Sequence, residues 1–355
     1  MSTTPADVCA HTHLYSGLAP LGMPAPEVAP ESFVQILERV WWRLDRALDA
    51  ASLRASARYY VAQALLAGTT TLIDHHESPE LIEGSLDVIA DACDALGVRA
   101  LLTYGATERN GGREEARRGL AECRRFLRHN RRPNILGAVG LHASFTVSDE
   151  TVREAGALCA ELGAPMHVHL AEDGADVADA RARGYEGPLE RLLALGALPP
   201  GSIVAHGVHL SEAQVGRARD AGLWLVHNPR SNEGNRVGYA RALSASRRVG
   251  LGTDGWSADM GAEEAALLRL AAASNDVPDA VRGRRAASRE LAEAVFGVSL
   301  ADDEVTRDRA GAVQYVTVAG HAVVRNGRLV HGSMEEIARE AQAEATRLWE
   351  RMRAL

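Results

Sequence analysis

Short apolar runs recur along the chain, and each ends in a polar or histidine-bearing segment. Such near-continuous apolar runs, alternating with amphipathic segments, are typical of parallel strands whose two faces are both covered. The first run is "DVCAHTH" at residues 7–13, and the others lie at residues 69–76, 98–107, 135–144, 165–173, 202–210, 223–232 and 248–256. Eight β–α units are the number that closes a (β/α)8 barrel. We therefore expect an α/β fold of this kind, with a doubly wound open sheet as the alternative.

Amphipathic segments between these runs predict the helices that would cover the barrel. They lie at residues 52–67, 80–97, 112–130, 149–163, 186–196 and 211–221. A further helix is expected from Ser32, where "FVQILERVWWRLDRAL" has apolar residues at helical spacing. We expect one of Trp41 and Trp42 in the core and the other in the wall of a lid. Leu21 and Met23, in the preceding proline-rich loop, are further candidates to cover a pocket.

The pattern changes after Trp256. Residues 259–274 and 277–297 are expected to be helical. Residues 313–330 alternate with period two and contain Asn326–Gly327, which is a hairpin signal. A charged helix is expected from about residue 333 to residue 353. The sequence therefore suggests a barrel over residues 1–300 and a C-terminal hairpin and helix over residues 301–355.

Composition excludes several classes of protein. A formal net charge of −8 and a pI near 5.9 argue against a nucleic-acid partner. We find no run apolar enough to span a bilayer and no signal peptide, so we expect no membrane partner. The four scattered cysteines indicate reduced thiols in a cytoplasmic protein. All 39 basic residues are arginine, which excludes Schiff-base and P-loop lysines and a carboxylated lysine bridging two metals.

Histidine and carboxylate side chains cluster where the predicted strands end. In a (β/α)8 barrel the carboxyl ends of the strands share one face, which carries the active site. The residues at these ends are His11, His13, His75, His76, His142, His167, His169, Glu172, His206, His227 and Asp254. Imidazole and carboxylate are suitable ligands for zinc or ferrous iron. An HxH pair alone is a weak metal signal, but its combination with HxxE, a later histidine and an aspartate is much stronger.

A divalent ion held by three histidines and one aspartate would leave room for water. It would lower the pKa of that water toward 7 and present a hydroxide nucleophile. A nearby carboxylate would then transfer protons. The residues thus indicate metal-dependent hydrolysis.

Five segments carry a resemblance to a known family: "HTHLYSGLAPLGMP", "DHHESP", "GLHASFTVSDET", "VAHGVHL" and "LVHNPRSN". Over residues 8–330 the chain resembles the amidohydrolase superfamily. It is most similar to the cytosine-deaminase-like branch, which contains the chlorohydrolases and the adenosylhomocysteine and guanine deaminases, and within it to the aminohydrolases named SsnA. The resemblance implies a distorted (β/α)8 barrel with a small β-sandwich built from both chain ends.

The resemblance also implies roles for individual residues. His11, His13, His169 and Asp254 would hold one divalent metal, and Asp254 would also take a proton from its water. Glu172 would relay protons to a ring nitrogen of the substrate, and His206 would orient the hydroxide or polarise the substrate. His142 would contact the substrate. The absence of lysine agrees with a single metal.

The remaining histidines are assigned from the residues themselves. At the end of the second strand, His76 is preferred to His75 as a substrate-binding residue. His167 either lines the pocket or packs in the core, and His209 is expected to be structural.

We expect an enzyme that hydrolyses C–N bonds other than peptide bonds, with zinc favoured over Fe²⁺. Deamination of a small nitrogen heterocycle or cyclic amidine is the leading reaction. A ring-opening amide or amidine hydrolase would use the same residues, and a catalytically inert relative is the third alternative.

The front of the chain departs from the family pattern, because relatives carry a longer segment before the HxH pair. The C-terminal hairpin is therefore expected to lack its N-terminal partners. Soluble proteins avoid such open edges. We expect a second chain to cover the hairpin in a homodimer, or the hairpin to pack on the barrel.

Overall fold

A computed structural model describes residues 1–276 and 281–355, so the first residues of the helix expected at 277–297 lie outside it. The strands are β1 Ser2–Pro5, β2 Asp7–Thr12, β3 Thr69–Asp74, β4 Arg99–Leu102, β5 Ile135–Gly137, β6 Val139–Ala143, β7 Met166–Leu170, β8 Ile203–His206, β9 Trp224–His227, β10 Val249–Leu251, β11 Glu304–Arg307, β12 Val313–Val318, β13 His321–Arg325 and β14 Arg328–Leu329. Their pairing defines two sheets of different character: a parallel ring and an antiparallel sheet at its side.

The parallel strands form a closed, distorted (β/α)8 barrel, which confirms the expected fold. Strands β2 to β5 pair in sequence order, as do β6 to β10. Parallel bridges between Thr12 and Asp254 and between Ala106 and Leu141 join the two arcs. β5 and β6 form one barrel strand interrupted at Ala138, which makes eight strands in the ring. This closure excludes the open sheet.

Helices surround the ring as the amphipathic pattern predicts. They are α1 Phe33–Ile36, α2 Trp42–Ala47, α3 Ala50–Ala67, α4 Ser85–Leu96, α5 Gly112–His129, α6 Asp149–Leu162, α7 Gly174–Ala182, α8 Pro188–Ala194, α9 Glu212–Asp220, α10 Pro229–Gly234, α11 Met260–Ala273, α12 Arg284–Phe296 and α13 Met334–Ala354. Local signals fix their ends: Asp49 caps the start of α3, and Gly68 ends it at φ 98°. A Cβ at Gly68 would also lie 3.0 Å from the side chain of Val305, so only glycine fits there without adjustment.

The segment between β2 and α3 crosses the carboxyl end of the barrel. Ser32 caps α1, and a π-helical turn at Leu37–Trp41 joins α1 to α2. Such a wide turn changes which side chains share a helix face and frequently occurs at functional sites. We call residues 33–47 the lid helix.

The antiparallel sheet has the strand order β1-β11-β12-β13-β14. β12 and β13 form the expected hairpin, but Asn326–Gly327 turns the chain from β13 into the short β14. Both turn residues have positive φ, as a tight hairpin turn requires. Val316, Val318 and Val323 of this sheet are buried in the main hydrophobic core.

The expectation that the hairpin lacks N-terminal partners is wrong. Ser2–Pro5 pairs with Glu304–Arg307, and that strand in turn pairs with β12. The sheet also contacts α3 and β3 of the barrel, so packing on the barrel is the alternative that the structure shows. A second chain is not needed to cover the hairpin.

The C-terminal helix α13 packs on α3 and reaches the lid helix. The indole of Trp349 donates a hydrogen bond to the carbonyl of Leu21 (3.0 Å), and Arg351 donates to the carbonyl of Ala47 (2.7 Å). In the described part of the chain, every helix is too short or too polar to span a bilayer.

Candidate active site

The four predicted metal ligands meet at the carboxyl end of the barrel. His11 and His13 lie at the end of β2, His169 lies in β7, and Asp254 follows β10. One ligand atom of each residue lies within 4.8 Å of the others, and all four residues are buried or nearly so. Nε2 of His13 lies 2.7 Å from Oδ1 of Asp254 and 3.2 Å from Nε2 of His169. Nε2 of His11 lies 3.4 Å from the same carboxylate oxygen.

Hydrogen bonds on the far side of each ring fix which nitrogens face the cluster. Nδ1 of His13 lies against the carbonyl of His75, and Nδ1 of His169 lies 2.7 Å from the carbonyl of His142. A carbonyl can only accept, so both Nδ1 atoms carry a proton and both Nε2 atoms face the cluster. At 3.2 Å these two Nε2 atoms need a positive charge between them, which is either a proton or a metal cation. These residues therefore fit a divalent metal.

The electrostatics of the cluster favour a positive charge at this point. Burial lowers the pKa of His13, but Asp254 outweighs it and raises that pKa to about 9. Burial opposes ionisation of Asp254, yet the charge and hydrogen bonds of His13 and His11 hold its pKa well below the usual range. The pKa of His11 falls to about 3 because burial penalises its charged form. A cluster that stabilises one extra proton also suits a metal cation.

Glu172 and His206 lie beside this cluster, as the sequence predicts. Oε2 of Glu172 is 3.5 Å from Nε2 of His206. Nδ1 of His206 lies 2.9 Å from Oδ1 of Asn232 and 3.4 Å from Nδ2 of Asn228; when Nδ1 carries the proton and donates it to Asn232, Nε2 is free to accept. Burial raises the pKa of Glu172 to about 7; Asp254 adds to this rise and His206 opposes it. Glu172 can thus exchange a proton near neutral pH.

Backbone strain is concentrated at these strand ends. Ala171, His206 and Asp254 all have positive φ, at 52°, 75° and 52°. This conformation is costly for residues other than glycine and clusters at functional sites. At or next to these positions, Glu172, His206 and Asp254 each offer an atom that lies within 4.8 Å of the others.

The loop after β9 supports the site through three polar residues, Asn228, Ser231 and Asn232. Asn232 and Asn228 both contact Nδ1 of His206, and the hydroxyl of Ser231 donates to Oδ2 of Asp254. Their position directly after a predicted barrel strand was the available signal.

The two histidines after β3 both lie outside the lining of the cavity, so a substrate-binding role for His76 stays a prediction. Nε2 of His76 lies 2.8 Å from the hydroxyl of Ser78. His75 instead pairs with Glu77 at 2.7 Å. Glu77 was missed by the sequence analysis, and its pKa is held below the usual range by His75 and His13 despite burial.

The other strand-end histidines have separate positions. Nε2 of His167 lies 2.9 Å from Nδ1 of His11, so His167 supports a ligand and does not line the cavity. His227 is buried against Arg284, and His209 is exposed. His142 lines the cavity, with its Nδ1 3.0 Å from the hydroxyl of Thr146.

A cavity lies between the ligand cluster and the lid helix. Both Trp41 and Trp42 line it, whereas Leu21 and Met23 pack against the hydrophobic core. Its aromatic and aliphatic lining comes from Tyr15, Phe33, Leu37, Trp41, Trp42 and Phe145. Asn235, which contacts Glu172 at 3.4 Å, is a polar lining residue that sequence reasoning missed.

A (β/α)8 barrel with three histidines and one aspartate at its carboxyl end defines a metal-site barrel of the hydrolase type. The model of the amidohydrolase family matches residues 3–322, and the chain belongs to this family.

Individual relatives agree with this assignment. A 5′-deoxyadenosine deaminase of Methanoregula boonei is 28% identical over 273 residues, which cover 74% of this chain and 59% of that protein. A 5-methylthioadenosine/S-adenosylhomocysteine deaminase of Desulforudis audaxviator is 30% identical over 265 residues, covering 72% of this chain and 57% of the relative. This chain thus spans less than two thirds of the length of either relative. The solved structure of a zinc-bound adenosine deaminase from Xanthomonas campestris superposes with a TM-score of 0.82 at 23% identity, over 99% of this chain and 86% of that one.

Proposed function

We propose that this protein is a metal-dependent hydrolase that deaminates a planar nitrogen heterocycle or cyclic amidine. The observation that carries the proposal is the convergence of the lone pairs of His13 and His169 with Asp254, directly beside the Glu172–His206 pair. The names of both deaminase relatives support the same reaction class.

His11, His13, His169 and Asp254 would hold the metal, which supplies the Lewis acidity that makes water a nucleophile at neutral pH. Asp254 and the Nε2 lone pair of His206 each accept one of the two protons of the attacking water, and these protons replenish Glu172. Glu172 transfers a proton to a ring nitrogen of the substrate and later to the departing amine. Water thus gives its oxygen to the ring carbon and its protons to the nitrogens, and ammonia leaves.

Ammonia release from zinc-loaded protein tests the proposal, with purines, pyrimidines, pterins and cyclic guanidines as substrates. A deaminase releases one ammonia per product. A product heavier by one water, without ammonia, would instead support the ring-opening alternative. A folded protein that takes up neither zinc nor iron would support the alternative that the chain is a catalytically inert relative.

We propose zinc as the metal, because three imidazoles and one carboxylate are typical zinc ligands, although ferrous iron accepts the same donors. Metal analysis after expression in medium containing both ions distinguishes them.

We also propose a cytoplasmic location and a homodimer. All four cysteines are buried and free, which agrees with a reducing compartment. The edge strand Ser2–Pro5 is exposed along its length, and such edges readily pair with another chain. Light scattering on the full chain measures the oligomeric state.

A further inference from the structure

The cavity has an unusual balance of charge. Six carboxyl groups line it: Asp45, Glu77, Glu172, Asp173, Asp176 and Asp254. Among the described residues that line the same cavity there is no arginine, and its basic lining side chains are the imidazoles of His13, His142 and His169. Even with a divalent cation bound, an anionic substrate group would face carboxylates in a site of low dielectric constant, where repulsion is strong.

Asp45 is the carboxylate of this set that lies on the lid helix. It shares a helix face with Phe33, Leu37 and Trp41, at intervals of four residues, and all four line the cavity. Asp45 is only 2% exposed. Its Oδ2 accepts a hydrogen bond from Arg109 at 2.9 Å. Its Oδ1 is buried and makes no hydrogen bond to any residue in the described ranges.

A buried carboxylate oxygen without a partner is costly, and a substrate N–H group would remove that cost. The guanidinium of Arg109 stacks on the ring of Trp42 at 4.7 Å and does not itself line the cavity, although its charge acts on Asp45 and Glu77. It lines a neighbouring surface depression instead. Arg109 therefore fixes the orientation of the Asp45 carboxylate through Oδ2, and Oδ1 remains available as an acceptor.

The walls of the cavity restrict the shape of the substrate. The indoles of Trp41 and Trp42 and the ring of Phe145 offer flat apolar surfaces to a planar ring. The free oxygen of Asp45 then lies on the lid side, and the proton-transfer groups Glu172 and Asp254 lie on the barrel side.

From these features we propose that the cavity selects planar heterocycles that carry N–H donors and no anionic group, and that Asp45 is the substrate-binding residue that accepts from those donors. This substrate class rests on the proposed hydrolysis and narrows it. Amidine- and guanidine-bearing rings, neutral or cationic, meet the requirement. The same rings with a carboxylate or phosphate substituent do not.

Matched pairs of compounds test the inference on the zinc-loaded full chain. Adenosine is compared with adenosine 5′-phosphate, and pterin with pterin-6-carboxylate, because the amidine group is the same within each pair. We expect kcat/KM for the uncharged member to be at least about tenfold higher. The anionic member would have to bury its charged substituent in a cavity that offers it no hydrogen-bonding or ionic partner. Thermal denaturation with each compound gives a second readout, in which only the uncharged members raise Tm.

The variant Asp45→Asn tests the named residue. We expect about a tenfold rise in KM or loss of the Tm shift with an uncharged member, while the zinc content stays at the wild-type level. Asp149→Asn is the matched control, because Asp149 accepts from Arg191 at 2.9 Å but lies outside the cavity.

The outcomes separate this inference from the proposed function. Equal turnover or equal Tm shifts within each pair, or an Asp45→Asn protein that behaves like Asp149→Asn, would overturn the inference and leave hydrolysis standing. A preference for the anionic members would overturn it in favour of Arg109 as an anion-binding residue. A zinc-loaded protein that neither hydrolyses nor is stabilised by any member would contradict both proposals.

Discussion

At the scale of single residues, the imidazole of His167 decides which nitrogen of His11 faces the ligand cluster. Nε2 of His11 can offer a lone pair only if Nδ1 of that ring carries its proton and donates it to His167, 2.9 Å away. We expect His167→Ala to weaken zinc binding by roughly 10- to 100-fold, as removal of such ligand-orienting partners typically does. Competition with a chelator measures the change.

His209→Ala is the control for this variant, because His209 is exposed and should leave the zinc affinity unchanged. Equal zinc affinity of His167→Ala and wild type would show that His167 only fills space.

A second prediction at this scale concerns Asp176, whose carboxylate accepts from the backbone of Ala171 at 2.7 Å. Burial raises its pKa to about 7; Asp179 adds to the rise and Arg191 opposes it. The folded state therefore binds a proton more tightly than the unfolded chain, and Asp176 makes stability fall as pH rises from about 4 to about 7. Between pH 5 and pH 8 the free energy of unfolding of the wild type should fall by on the order of 2–3 kcal/mol more than that of Asp176→Asn.

Urea unfolding at the two pH values measures this difference. Asp149→Asn should keep the wild-type dependence, because Tyr185 and Arg191 lower the pKa of Asp149 despite burial, and Asp149 stays ionised over this range. If Asp176→Asn also keeps that dependence, the raised pKa of Asp176 is contradicted.

At the scale of elements, the lid helix is held from outside the barrel by the last helix of the chain. Trp349 is buried, and its indole bonds to the loop that precedes the lid helix. We expect Trp349→Ala to lower the free energy of unfolding by about 3–5 kcal/mol, the usual cost of removing a buried aromatic ring.

Trp349→Phe separates packing from hydrogen bonding, since it keeps most of the ring and loses the donor. Trp349→Phe should lower the free energy of unfolding by about 1–2 kcal/mol. Urea unfolding of both variants measures the two losses. Near-equal stability of Trp349→Ala and wild type would show that the contact of α13 with the loop before the lid helix does not stabilise the fold.

The sequence predicted the barrel elements well because their signals are local. Each barrel strand has a dense apolar run, and the polar end of that run marks the carboxyl face. The π-helical turn at Leu37–Trp41 has no such signal, so the shared position of Trp41 and Trp42 in the cavity wall could not be predicted from helical spacing. β1 was missed because "STTP" is polar and fully exposed, and its partner lies about 300 residues away.

At the scale of the whole molecule, the metal cluster connects parts of the chain that are far apart in sequence. His11 and His13 lie on the first barrel strand, His169 on the fifth, and Asp254 after the last. A cation that binds these four groups binds only the closed ring, so it stabilises the folded state by mass action.

We therefore expect zinc at 100 times its dissociation constant to raise the free energy of unfolding by about 2.7 kcal/mol over the chelator-treated protein. Urea unfolding with and without zinc gives this value. His169→Ala removes one ligand and should abolish the increase, whereas His129→Ala, on an exposed helix position, should keep it. If zinc stabilises His169→Ala as much as wild type, the ion binds elsewhere and the ligand assignment fails. If zinc stabilises only the proteins that retain His169, the stabilising ion is bound by the residues that we propose as ligands of the catalytic metal.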